Sequence, residues 1–135
     1  MGVEGFGDGI KTRLVTITGL RVFAPNELPD SLSEFPVALV LPGETLYNSV
    51  LGSKQRTTMR VLLVLAKPDQ PSALNKLLDY IDPTGAATVV GAIDGDATLN
   101  AKADTARVVR NTGVGSITWG GQVYLGTEFE IDVMG

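Results

Sequence analysis

Four groupings of residues have types and spacings that bear on chemistry. Asp94-Gly95-Asp96 opens like a calcium loop. An EF-hand then needs Asp or Asn at its fifth place, Gly at its sixth and Glu at its twelfth. Those places hold Thr98, Leu99 and Thr105, so the grouping reads as a plain turn of Asp and Gly. Gly113-Val114-Gly115-Ser116-Ile117-Thr118 carries two of the three glycines of a dinucleotide fingerprint, with Thr118 in the place of the third. It sits between strands instead of opening a helix, and the context for phosphate binding is missing. A bulge or bent strand accounts for it better. Ser53-Lys54 and Ser72 with Lys76 lack the S-x-x-K spacing and read as a surface turn and a helix start. Neither completes the nucleophile, base and orienting group that acyl transfer needs.

The chain has no histidine and no cysteine. That removes the side chain that most often carries protons near neutral pH. It also removes thiolate nucleophiles, disulfides and the usual zinc ligands. No catalytic, cofactor-binding or metal-ligating residue is therefore assigned, and the chain reads as a protein of shape and assembly and not as an enzyme. The remaining polar groupings suit contact. Lys54, Arg56 and Arg60 form one basic cluster, either touching a phosphate or an acidic neighbour or forming a solvated strand edge. Glu128, Glu130 and Asp132 recur at every second residue and share one face of a strand. That row is a wet face, an interface with Arg or Lys, or an acidic surface that keeps DNA from sticking. Trp119, Tyr124 and Tyr47 are the aromatics suited to contacts. Trp119 lies beside a hairpin tip, where it is an interface anchor or a ring folded back on its own sheet.

A length of 135 residues fits one domain, residues 1–135. A hydrophobic content of 44% and a charged content of 19% are near globular values. The net charge is −4, and the basic residues are dispersed. A tight nucleic-acid binder usually concentrates them, because affinity comes largely from counterion release. No apolar run approaches the ~20 residues that span a bilayer. The first nine residues lack the basic and apolar regions of a secretory signal, so synthesis in the cytosol is expected.

The elements that must position these residues follow from periodicity. Residues 1–19 carry an N-terminal helix over Phe6 to Thr18, with Ile10, Leu14 and Ile17 on one face, Asp8 as its cap and Gly19 as its stop. Leu20 to Ala24 is a short β segment, and Pro25 to Phe35 an irregular loop. Pro36 to Leu41 is an apolar run, short enough for a buried strand, ended by Pro42-Gly43. A weaker strand, Glu44 to Leu51, and a turn, Gly52 to Gln55, follow within a loop region 42–55. Arg56 to Ala66 is a strand with Thr57, Met59 and Val61 opposite Arg56, Thr58 and Arg60, and it is apolar on both faces from Val61 onward. Pro71 to Ile81 carries the stripe Leu74, Leu77, Leu78 and Ile81 of a helix. Ala86 to Ile93 is a second short helix with Val89, Val90 and Ile93 inward. Thr105 to Thr118 is a strand interrupted near Gly113 or Gly115. Gly120-Gly121 signals a two-residue hairpin. The last strand sends Val123, Leu125, Thr127, Phe129, Ile131 and Val133 to one face, and Gln122, Tyr124, Gly126, Glu128, Glu130 and Asp132 to the other. The fold class is α+β: a mostly antiparallel sheet with two to three helices on one face.

The order of several segments carries a resemblance. Leu28-Pro29-Asp30-Ser31-Leu32-Ser33-Glu34-Phe35-Pro36 leads into an apolar strand ending Leu41-Pro42-Gly43. The Arg60-to-Ala66 strand follows, then a helix closing Leu78-Asp79-Tyr80-Ile81-Asp82-Pro83-Thr84-Gly85, and the end runs from Val123 to Val133. This order resembles the small tail-terminator and head–tail joining proteins of long-tailed, siphovirus-type bacteriophages. It covers about Leu28 to Val133, and the stretch Gly95 to Lys102 departs from it. The resemblance implies a structural virion protein made in the bacterial cytoplasm. It implies a ring of copies of this chain, commonly a hexamer, at the head-proximal end of the tail. That ring would end the tail tube and meet the major tail tube protein on one side and the head–tail connector on the other. DNA would pass through its lumen without specific binding, and no cofactor or membrane is involved. The contact elements expected are the loop 25–35, the region 42–55 and the Trp119 hairpin, with Leu28, Pro29, Phe35, Lys54, Arg56, Trp119, Tyr124, Glu128 and Glu130 as interface residues. A connector of stopper or adaptor type, another minor tail protein, and a small hydrolase or ligand-binding domain using Asp94, Asp96 and Asp104 are the alternatives.

Overall fold

Successive side chains of a strand point to opposite faces, so a strand that is apolar on both faces must be covered on both. The computed structural model describes residues 3–17, 20–30, 36–47, 55–66, 89–95, 98–99, 103 and 105–135. In chain order these form helix α1 (Val3–Leu14), strand β1 (Arg21–Phe23), a 3-10 turn (Pro25–Glu27), β2 (Val37–Tyr47), β3 (Gln55–Ala66), helix α2 (Val89–Asp94), β4 (Thr105–Trp119) and β5 (Gln122–Met134). The five strands make one sheet in the order β1-β2-β3-β5-β4. Only β1–β2 is parallel; the other pairs are antiparallel. The architecture is α+β, a single small domain dominated by its sheet.

Two hydrophobic clusters follow from the alternation. On one face Phe6, Ile10, Leu14 and Ile17 of the α1 region and Val89, Ala92 and Ile93 of α2 pack on Ala38, Val40, Met59, Val61, Leu63, Phe129, Ile131 and Val133. On the other face Val37, Leu39, Leu62, Val64 and Tyr124 form a second cluster, flanked by Phe23, Leu28, Leu41, Ile117 and Trp119. The change in β3 at Val61 is visible here: Val61 and Leu63 join the first cluster, and Leu62 and Val64 the second. Full burial of one such aliphatic or aromatic side chain contributes about 1.5–3 kcal/mol.

Polar ties hold the helices in place. Arg13 donates through Nε to the Ala92 carbonyl at 2.9 Å, one of the carbonyls that the end of a helix leaves without an internal partner. Glu27 accepts the Ala24 amide at 3.0 Å and pairs with Lys11 of α1. Among the described residues no helix is long and apolar enough to cross a membrane.

Four expectations need correction. Asp8 lies inside α1 and does not cap it; its carbonyl accepts the Thr12 hydroxyl. The helix ends at Leu14, and residues 15–17 continue as turns. Pro42-Gly43 does not end its strand. The β2–β3 register shifts between Pro42 and Thr45, and β2 runs on to Tyr47. An irregularity absorbs the proline, which cannot donate to a ladder, so the region 42–55 begins as strand and not as loop. Val90 is half-buried, whereas Val89 and Ile93 are buried as expected. The helix expected over Pro71 to Ile81 lies outside the described residues.

Candidate functional site

The face of the sheet opposite the helices carries charge at one end. In the β3–β5 register Arg56 stands opposite Met134, and Arg60 opposite Glu130. Each arginine reaches diagonally to the next carboxylate on its face. Arg56 makes a two-pronged pair with Asp132, Nε–Oδ1 2.9 Å and Nη2–Oδ2 2.8 Å. Arg60 Nη2 meets Glu128 Oε1 at 2.5 Å. From the other side, Arg110 of β4 stands opposite Glu130 and grips it through Nε–Oε2 at 2.6 Å and Nη2–Oε1 at 3.0 Å. The row Glu128, Glu130, Asp132 is thus neutralised one by one by arginines from both flanking strands. Diagonal cross-strand neighbours lie within reach of side chains this long, and the planar guanidinium fork matches a carboxylate.

Shielding is unequal within each pair. The carboxylate side chains are 17–24% exposed and the arginines 42–64%, so the guanidinium groups lie outermost. The Asp132 hydrogen bonds hold Arg56 above its ordinary value, and the Glu128 hydrogen bond does the same for Arg60. Arg107 faces Asp132 from β4 and is exposed, with no ion pair among the described residues. Beside the row runs an open groove of about 450 Å³ lined by Glu44, Leu46, Arg56, Thr58, Val109, Glu130 and Asp132. Leu46 and Val109 are 49% and 47% exposed. This surface suits docking: two exposed apolar side chains rimmed by oriented charge.

The residues singled out from sequence are distributed as follows. Arg56, Glu128 and Glu130 meet in this row. Trp119 folds back: its indole N–H donates to the Pro29 carbonyl at 2.8 Å, and its ring packs beside the second cluster. Leu28 flanks the same cluster. Tyr124 is 4% exposed and belongs to that cluster, so its ring is core and offers no contact surface. Phe35, Lys54, Asp96 and Asp104 lie outside the described residues.

Arg110 and Val109 escaped the sequence reading for a definable reason. Strict alternation from Arg107 sends Arg110 to the helix-covered face. The register shifts between Val108 and Arg110, and that one-residue bulge returns Arg110 to the carboxylates. The signal available was compositional: three carboxylates on one strand need cations on both neighbours. No protein-family model matches the chain, and no curated protein matches it.

Proposed function

We propose that this chain is a structural subunit of a phage tail, forming a ring at the head-proximal end that terminates the tail tube and joins it to the head connector. The observation that carries the reading is the order of the segments that resemble that family, together with where they lie. The strands beginning at Val37, Gln55 and Gln122 are β2, β3 and β5, the three adjacent central strands of the sheet. Three of the segments that carry the resemblance thus lie in neighbouring strands, and the helix closing at Gly85 lies outside the described residues. A surface of paired charges beside exposed Leu46 and Val109 supports a role in docking, because apolar contacts with an oriented polar rim are the usual anatomy of an interface.

Mixing the purified protein with purified tail tubes tests this. The expected result by negative-stain microscopy is a ring of copies at one end of each tube, with light scattering showing self-association. A protein that stays monomeric at high concentration and leaves tube ends bare overturns the reading. Polymerisation into a long tube instead of a ring would assign it to the tube.

A further inference from the structure

Among the described residues the strand β4 forms one edge of the sheet, and its two halves differ. The half from Thr105 to Val114 is closed to strand addition. It carries Arg107 and Arg110 and is broken by register shifts between Val108 and Arg110 and between Asn111 and Val114. Edge charges and bulges are the usual protection against unwanted pairing. The half from Val114 to Trp119 has none of these devices. It pairs with β5 without interruption, bears no charge and no proline, and exposes Gly115, Ser116 and Thr118.

Gly115 sharpens the contrast. Glycine weakens a strand, so its presence asks for a cause. Its partner across the ladder, Gly126, has one inside the chain: a Cβ there would strike the Leu63 carbonyl and the Ile117 side chain. At Gly115 a Cβ would meet nothing within 4 Å, and the residue is not among those with positive φ. Nothing among the described residues requires a glycine there, and its bare backbone leaves room for a neighbouring strand to approach closely.

We infer that residues 114–118 are a self-association edge that takes the same segment of a second copy in antiparallel pairing about a dyad at Ser116. The two-residue turn makes Trp119 and Gln122 a hydrogen-bonded pair, so by alternation Ser116 and Thr118 turn their amide and carbonyl groups outward. About that dyad Ser116 bonds Ser116 of the second copy. Val114 stands opposite Thr118, and Ile117 of the second copy lies over Gly115 in a close, non-hydrogen-bonded pair. Arg110 of each copy falls opposite the far side of the other's turn, so the arginines stay outside the pairing. That is the charge argument for this occupant: the neutral half meets only neutral residues. The contact is isologous and closes at two copies. It therefore goes beyond the ring proposed above and does not depend on it.

Sedimentation equilibrium over a concentration series tests the pairing, with circular dichroism to confirm folding. The wild type is expected to pass from monomer to dimer as concentration rises. Ser116→Lys and Ser116→Pro should each weaken that step at least tenfold, the proline because the amide it removes faces outward. Thr112→Lys, on the bulged half of the same edge, should leave it unchanged. A wild type that stays monomeric up to about 1 mM, where even a small interface would register, overturns the inference. Dimerisation untouched by Ser116→Lys, or weakened equally by Thr112→Lys, also overturns it. If Ser116→Pro unfolds, the lysine variant decides. Adding Ser116→Lys to tail tubes separates the two ideas: capping without dimerisation leaves the ring reading standing.

Discussion

Asn111 donates its side-chain amide to the Thr127 hydroxyl at 2.7 Å, across the β4–β5 ladder where the register breaks. That hydroxyl in turn donates to the Gly113 carbonyl at 2.8 Å. The same amide reaches the Glu128 carbonyl at 3.1 Å, and the Asn111 side-chain Oδ1 accepts the Gly113 amide at 2.9 Å. Two side chains thus satisfy backbone groups that the bulge takes out of the ladder. Because Thr127 is 2% exposed, water cannot replace them cheaply.

Replacing Thr127 with valine keeps the shape and removes both bonds. The expected cost is about 1–3 kcal/mol, read from urea denaturation. Thr127→Ser, which keeps the hydroxyl, should lose less. Equal losses in the two variants would show that the methyl group matters and the network does not.

The glycines of β4 should respond in opposite directions. Gly113 has φ +91°, a region that L side chains rarely adopt, so Gly113→Ala should destabilise by about 1–2 kcal/mol although space is free. Gly115→Ala meets open space at an ordinary φ and should be neutral or stabilising by up to about 1 kcal/mol. Denaturation midpoints measured at a concentration where the protein is monomeric distinguish the two.

In the charged row, a double-mutant cycle on Arg60 and Glu128 should give a coupling of about 0.5–1 kcal/mol, the range of exposed ion pairs with good geometry. The coupling should shrink toward zero at about 1 M salt, where screening acts over roughly 3 Å. A coupling unaffected by salt would mean that packing of the arginine stem dominates.

Glu27 gives the acid response a specific contributor. The Ala24 backbone hydrogen bond, followed by the Lys11 hydrogen bond, holds its carboxyl below the ordinary value of 4.5. A depressed folded value means that the stabilisation is fully present above the unfolded value and is lost as pH falls through the folded one. Wild type should therefore exceed Glu27→Gln in stability at neutral pH, and the gap should close as the pH falls through the depressed folded value. The effect is small because the pair is solvent-exposed. A gap that persists in acid would reject the assignment.

Periodicity alone was enough for the elements whose burial is local to their own pattern. The stripe of Ile10, Leu14 and Ile17, the two-faced strand from Val61, the Gly120-Gly121 turn with φ +59° and +80°, and the break near Gly113 were all legible. So was the shared face of Glu128, Glu130 and Asp132, because a side-chain period of two follows from backbone geometry alone.

Tertiary structure decided what depends on register. A bulge at Val109 chooses which face Arg110 takes, another after Asn111 sets the phase of the strand from Val114 on, and no local preference encodes either choice. Pro42-Gly43 reads as a stop until β3 pairs on both sides of it. Tyr124 shares its alternation with the acidic residues, yet it is buried, because β5 passes from the wet end of the sheet to the second cluster along its own length. Trp119 finds its partner at Pro29, ninety residues away in sequence. The sequence by itself determined which side chains share a strand face. The pairing of strands determined what those faces meet, since contacts between distant segments depend on the whole sheet and not on any one run of residues.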